Sequence, residues 1–313
     1  MRGLLFLFVV LALFLAVGTS AETPTCMRFL RISTLPRLAG MGEATVAVQD
    51  ATWAEANPAH LANLEGSLIT FAHTAWFEDI SLESMAFGTS TGNHAFGISV
   101  VGLHTEPLDS YDGVGEYQGT FRFFDLAVSA SYARRFAQSL TFGVTGKTLY
   151  EKIDWDSATG FGFDLGMGYA LPMQLAGTRF AAGAAVRNIG SKMGYDKEEF
   201  DLPLSWQVGL SMETEALPEW LGMAAGLDYV KTRGEDGGLL AGLEVDLHDM
   251  LALRLGYRGA YEQGKATFGL GLGWGPATVD YAYMDMGETL GGTHRVSVGF
   301  MTGAVFPSPE ASR

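Results

Sequence analysis

The chain has a single cysteine, Cys26, so no internal disulfide framework can hold it together. The preceding Thr23-Pro24-Thr25 is not the leucine-containing box that leads into a lipid-modified cysteine. Basic residues are scarce: 20 Lys and Arg stand against 35 Asp and Glu, a formal net charge of −15. A nucleic-acid partner is therefore not expected, because a phosphate backbone calls for clustered cations. The six histidines, His60, His73, His94, His104, His248 and His294, are scattered, and neither GxSxG nor HExxH occurs. Nothing predicts catalytic residues, a cofactor or a bound metal. Glu106, Asp109, Asp112 and Glu116 form an acidic group whose spacing fits no calcium loop. Finally, no apolar run after Val17 is long enough to cross a bilayer as a helix, so a membrane placement would require strands.

What the chain does have begins with Met1-Arg2, an apolar run from Leu4 to Val17 and the small residues Gly18-Thr19-Ser20-Ala21. This order predicts a signal peptide over 1–21, cut after Ala21; the apolar core is too short for a spanning anchor. From Ser67 onward, segments of about ten residues with period-two hydrophobicity alternate with turn-rich stretches. They predict about fourteen strands: 67–76, 81–89, 94–103, 121–133, 139–151, 160–170, 178–188, 203–213, 219–230, 238–247, 250–260, 265–274, 276–284 and 293–301. In one of them Leu251, Leu253, Leu255 and Tyr257 make an apolar face, opposite Ala252, Arg254, Gly256 and Arg258.

Period two also fits a soluble β-sandwich, and the second face discriminates between the two. A water-facing surface would be rich in Lys, Glu and Thr, whereas here it is mostly Gly, Ala and Ser with about one charge per strand. Such a face suits a crowded lumen, and strands of about 9–11 residues match a tilted crossing of the hydrocarbon layer. The expected fold is an all-β, transmembrane antiparallel barrel over 67–301 with a tail over 302–313. Trp76, Trp220, Tyr229, Trp274 and Tyr283 near strand ends are candidates for interfacial girdles. Short connections at 134–138, 172–177, 248–249 and 275–276 alternate with longer ones at 105–120, 152–159, 189–202, 231–237 and 285–292. That alternation puts the short turns, and both ends of an even-stranded barrel, in the periplasm. In "FGLGLGWG", Gly269, Gly271 and Gly273 recur at strict period two with no helix following, so they read as a lumen-facing row and not as a nucleotide loop.

Residues 22–66 lack strand periodicity but are too apolar for a solvated tail, which predicts that they pack inside the barrel as a plug. Asn57 is placed to cap a short helix begun by Pro58. This segment carries a family likeness in Phe29-Leu30-Arg31-Ile32, Arg37, Ala39-Gly40-Met41-Gly42-Glu43-Ala44, Val46-Ala47-Val48 and Asn57-Pro58-Ala59. It resembles the N-terminal signature of the PorV/PorQ family, within the FadL-like superfamily of outer-membrane barrels. Three departures stand out: His60 replaces a second glycine, Gln49-Asp50 replaces a more acidic pair, and a tail follows the last strand.

The resemblance implies a fourteen-stranded barrel with an N-terminal hatch, and two functions. One is uptake of fatty acids or other hydrophobic compounds across the outer membrane. The other is type IX secretion, with the barrel carrying exported proteins through their C-terminal domains. A purely structural envelope role is a third option. Expected partners are outer-membrane lipid and either hydrophobic small molecules or exported proteins.

With the apolar face toward lipid, twelve ionisable residues point inward: Asp125, Lys147, Glu151, Asp164, Arg187, Asp228, Glu244, Asp246, Arg254, Arg258, Asp280 and Arg295. They can tune permeation, or pair across strands and anchor a plug. Arg31 or Arg37 is expected to reach lumenal carboxylates, and Glu43 to meet Arg254 or Arg258. Met41, Val46, Val48 and Trp53, with Asn57 and Pro58, are candidates either to line an apolar pocket or to pack against the wall.

Overall fold

A computed structural model describes residues 24–76, 80–195, 198–214, 217–218, 220–288 and 290–302. The expected signal peptide, its cleavage site, the tail beyond Thr302 and the Trp53 side chain lie outside the described residues. Eighteen strands follow in chain order: β1 (Ser67–Ala75), β2 (Ile80–Thr91), β3 (His94–Thr105), β4 (Leu108–Tyr111), β5 (Tyr117–Phe121), β6 (Phe123–Ala137), β7 (Leu140–Ile153), β8 (Asp156–Leu175), β9 (Thr178–Gly190), β10 (Met193–Tyr195), β11 (Glu198–Phe200), β12 (Ser205–Thr214), β13 (Leu221–Thr232), β14 (Gly238–Leu247), β15 (Leu251–Arg258), β16 (Ala266–Trp274), β17 (Ala277–Asp285) and β18 (Gly292–Thr302).

Fourteen of these close into an antiparallel barrel, with β1 paired to both β2 and β18 so that no edge is left open. Closure satisfies every strand's main-chain groups inside the wall, which is what the hydrocarbon layer demands. The remaining four strands form two separate ribbons, β4–β5 and β10–β11, within the connections that join β3 to β6 and β9 to β12.

The alternation sets the two faces. Leu253, Leu255 and Tyr257 of β15 are about half exposed outward, whereas Ala252, Arg254 and Arg258 are buried. Trp220, Tyr229 and Trp274 belong to the exposed face. Trp76 departs from the girdle expectation, since the Arg295 guanidinium, from the inward face, lies 5.0 Å from its ring centre.

Several connections differ from the sequence reading: β6 and β8 run on to Ala137 and Leu175 through the expected turns at 134–138 and 172–177, and three more depart further. The stretches 105–120 and 189–202 hold the two ribbons, because their Tyr, Met and Phe residues supply short pairing segments of their own. The expected loop at 152–159 is mostly strand: β7 and β8 pair as far as Ile153 and Asp156, leaving only Asp154 and Trp155 in the turn. Asp154 takes a left-handed φ of 57° there, a conformation that aspartate tolerates.

Residues 24–66 form no barrel strand. They fold into short turns at Arg28–Arg31, Pro36–Gly40, Ala51–Trp53 and Pro58–Asn63. Pro58 opens the last of these, and the Asn57 side chain caps it by accepting from the Ala59 N–H at 3.0 Å. After Pro36–Gly40 the chain reverses at Gly42, whose φ of 61° and close approach to the Tyr257 main chain both exclude a side chain.

Candidate functional site

The N-terminal segment lies against the inward side of the wall along a belt of glycines. Following the chain from Gly40 to Ala59, Gly40 meets Gly269, Gly42 meets Gly256, Met41 meets Gly242, Ala44 meets Gly226, Val46 meets Gly209 and Gly183, Asn57 meets Gly166, and Pro58 meets Gly143. These eight wall glycines belong to eight consecutive barrel strands, β16 back to β7, one from each. Several are direct register partners, including Gly226 with Gly242, Gly242 with Gly256, Gly183 with Gly209 and Gly143 with Gly166. A Cβ at Gly183 would fall on the Val46 carbonyl, and one at Gly226 on that of Ala44. Missing side chains thus allow main chain to approach main chain around more than half of the circumference.

In the row first read from sequence Gly269 and Gly271 play different parts. Gly269 faces Gly40, with its would-be Cβ 3.1 Å from the Gly40 Cα, whereas a Cβ at Gly271 would meet Asp280 Oδ1 at 2.7 Å and Arg254 Nη2 at 2.8 Å. Gly271 therefore makes room for wall side chains, not for the segment.

Polar contacts fasten the segment at fixed points. Arg37 donates to both Glu244 oxygens, from Nη2 at 2.7 Å and from Nε at 3.0 Å, and from Nη1 to Asp50 Oδ2 at 3.1 Å. Glu244 also receives Arg254 Nε, and Arg254 Nη1 donates to Asp280 Oδ1 at 2.7 Å. The result is an alternating chain: Asp50, Arg37, Glu244, Arg254, Asp280. Burial pulls Arg37 toward the neutral form, but Glu244 and Asp50 outweigh it and raise its pKa above the ordinary arginine value. For Asp50 burial acts upward, and Arg37 together with the Thr52 N–H overcomes it, so its pKa is lowered.

Glu43 pairs with Arg258 at 3.3 Å and accepts from the Tyr261 hydroxyl at 3.0 Å. Arg295 donates from Nε to the Ser33 carbonyl at 3.2 Å. Asp228 accepts from the Val46 N–H at 2.9 Å, and Ser211 donates to the Ala47 carbonyl at 2.9 Å. Asn57 Nδ2 donates to Val46 O at 2.8 Å and to Met167 O of β8 at 2.9 Å, which couples segment and wall through one amide.

The other predicted inward charges sort into three groups. Lys147 pairs with Asp164 at 2.7 Å and donates to Asn188 Oδ1 at 2.9 Å. Asp125 and Glu151 are register partners on β6 and β7, and Glu151 accepts from the Met27 N–H at 3.3 Å. Arg187 and Asp246 border the internal cavity, with Arg187 held 3.3 Å from Gln207 Oε1. Arg31 does not reach a barrel-wall carboxylate; it pairs with Glu235, in the connection after β13.

Between the segment and the wall lies a cavity of about 320 Å³, bordered by residues of β1–β3 and β6 and also of the belt strands, among them Lys147, Asp164, Arg187, Asp246 and Arg254. Phe29, Leu30, Ile32, Leu35, Leu38 and Leu61 give it an apolar wall from the segment, while Thr70, Ala86, Ser99 and Ala127 supply a small-residue wall from the barrel. Met41, Val46 and Val48 are 0%, 0% and 3% exposed: Val46 lies against the wall, while Met41 and Val48 pack with Leu38 and Ala56 inside the segment; Met41, Val46, Val48, Asn57 and Pro58 do not border this cavity. Of the predicted residues, the inward charges Lys147, Asp164, Arg187, Asp246, Arg254 and Asp280 do border it, whereas sequence reasoning missed its apolar lining from the segment. Arg28–Arg31 and the turn after it are aperiodic, so nothing in the sequence told which side of the segment would be left uncovered. Gln207 and Ser211 were within reach, because they share the inward parity of Gly209.

Comparison with known proteins places this geometry among others. A family model described as "Uncharacterised protein family (UPF0164)" matches residues 18–163. A "UPF0164 protein" of Treponema pallidum (strain Nichols) is 30% identical over 120 residues, 32% of this chain and 37% of that relative's length. Among solved structures, the toluene transporter TodX of Pseudomonas putida superposes with a TM-score of 0.60 at 13% identity, covering 88% of this chain and 99% of that one. The CymD monoaromatic hydrocarbon channel gives 0.57 at 14% identity, covering 86% and 97%. A FadL homologue of Pseudomonas aeruginosa gives 0.50 at 12% identity, covering 90% and 100%. At these identities the likeness is one of fold. The chain is similar over its first half to UPF0164 proteins, and its closed fourteen-stranded barrel has the fold of the FadL-like outer-membrane channels.

Proposed function

We propose that this chain is an outer-membrane barrel that passes hydrophobic small molecules, with residues 22–66 acting as its hatch. The observation that carries this reading is the cavity between segment and wall. It is lined on one side by the apolar residues Phe29, Leu30, Ile32, Leu35 and Leu38, and it lies inside a barrel whose lipid-facing surface needs no such residues inside. The solved channels for toluene and monoaromatic hydrocarbons, which share the fold, support the same class of cargo. Those neighbours are transporters and channels, which fits a protein without catalysis. No contact among the described residues favours the type IX secretion role.

The proposal includes export by a signal peptide cut after Ala21, to be read by N-terminal sequencing of the mature protein. Function is tested by comparing uptake of radiolabelled toluene and of a long-chain fatty acid in cells with and without the chain. Slower entry of either in its absence is expected. Equal entry of both ends the transport reading.

A further inference from the structure

The outward surface of the barrel carries a second concavity, of about 520 Å³, on the lipid-facing side of β6–β9. Phe142, Val144, Leu165, Met167, Ala184 and Val186 line it. Met167 and Ala184 are only 8% and 7% exposed although they face outward, while Leu165 beside them is 50% exposed, so the wall recedes at this point. The cause is local. β8 slips register against β9 twice, between Phe163 and Leu165 and again between Ala170 and Gln174, which bends the strand. Behind the bend the Met167 carbonyl is held inward by Asn57, and Gly166 lets the segment sit directly against it.

Arg134 stands at the rim, three residues before the end of β6, with its guanidinium 4.9 Å from the Phe136 ring centre. Among the described residues no carboxylate lies within ion-pairing distance of it, although it is exposed on the apolar side of the barrel. Phe136 stacks edge-on against Phe142 at 5.5 Å, and the neighbouring Tyr132 hydroxyl shares a hydrogen bond with His94 Nδ1 at 2.8 Å. A cation and polar tips therefore stand at the short-turn end of an apolar groove.

Resting on the membrane placement above, we infer that this groove holds one glycerophospholipid of the leaflet at the short-turn end. An acyl chain lies against Phe142, Leu165, Met167 and Val186, and the phosphate pairs with Arg134. Guanidinium matches phosphate in charge and in donor geometry, and no protein carboxylate competes for it. A lipid lying anywhere on the outer wall would find the same hydrocarbon contact but neither the recess nor the cation.

The test is native mass spectrometry of the detergent-purified full chain, titrated with dioleoyl phosphatidylglycerol and, separately, with dioleoylglycerol, which lacks the phosphate. One phosphatidylglycerol per barrel should survive activation, and dioleoylglycerol should be lost. Arg134→Gln should weaken phosphatidylglycerol retention by about fivefold, the scale of one basic side chain at a membrane surface. Ala184→Trp should abolish retention by filling the recess, while Leu255→Trp, on the lipid-facing side of β15, should leave it unchanged. Heat-modified electrophoretic mobility checks that each variant is a closed barrel. Equal retention of the two lipids, or undiminished retention by Ala184→Trp, overturns the assignment. Recovery of the chain without detergent in the soluble fraction would instead end the membrane placement itself.

Discussion

Arg37 of the N-terminal segment and Glu244 of β14 meet through two hydrogen bonds, at 2.7 and 3.0 Å, with Glu244 only 2% exposed. The same carboxylate holds Arg254, so a single side chain bridges one cation from the segment and one from the wall. Glu244→Gln removes the carboxylate that links them and leaves Arg37 with Asp50 and Arg254 with Asp280. Removing one partner from a buried pair costs about 3–5 kcal/mol. The expected outcome is a large rise in protease cleavage within residues 24–66 at unchanged barrel mobility on gels. Equal protection in the variant and the parent chain would show that the ion pairs do not seat the segment.

The glycine belt predicts a graded series. Gly226→Val should unseat the segment, because its side chain would occupy the place of the Ala44 carbonyl. Gly146→Ala should be tolerated, since a Cβ there meets only the Phe163 ring at 3.7 Å, an ordinary contact. Protease protection and thermal aggregation midpoints separate the two.

Asn57 is 0% exposed and its side chain bonds to its own helix start, to Val46 and to the wall at Met167, with His60 Nε2 a further 3.4 Å neighbour. Asn57→Ala should destabilise segment docking by about 2 kcal/mol or more, given the cost of each buried group left unpaired. Asn57→Asp keeps the cap but loses both donors, so it should fall with the alanine variant and not with the parent. Hydrogen exchange of the Ala59 and Val46 amides reads the difference.

Glu55 supplies a pH signature. Burial, only partly offset by hydrogen bonds from the Thr34 N–H and hydroxyl, raises its pKa above the ordinary glutamate value of 4.5. The folded state therefore favours the protonated form. That contribution is full below pH 4.5 and is lost as pH rises through the folded pKa. Glu55→Gln should match the parent near pH 4 and exceed it in thermal stability at pH 8. A parent that is the more stable of the two at pH 8 would contradict the assignment.

The cavity predicts a transport variant. Ala86 of β2 borders it, and Ala86→Trp should fill much of the apolar space and slow hydrocarbon entry several-fold without altering segment protection. Liposome uptake of toluene measures it.

The wall was legible because strand periodicity is a property of each residue's neighbours in the chain. Leu253, Leu255 and Tyr257 announce the outside of β15 without reference to any other strand. Pairings such as Glu43 with Arg258 were also within reach, since the inward parity of β15 limited the choices. What escaped has no local period. Arg31 pairs with Glu235 in a connection, and the cavity belongs to Phe29, Leu35 and Leu38 and not to Met41, Val46 and Val48. Both outcomes depend on how an irregular segment turns between residues 28 and 40. The length of β8 was missed for a different reason: Asp156, Ser157 and Thr159 carry the composition of a loop, and only their pairing with β7 holds them extended.

The glycine belt has a mechanical consequence. Where two main chains touch, no rotamer change can make a passage, because there is no side chain to swing aside. Any widening on the β7–β16 side must lift a continuous length of peptide off the wall, breaking contacts at Gly40, Gly42, Ala44 and Val46 together. Where Leu35 and Leu38 border the cavity, the segment can yield one side chain at a time. Side-chain rotation alone can therefore enlarge the space that Leu35 and Leu38 border, whereas along the glycine belt only a movement of main chain can.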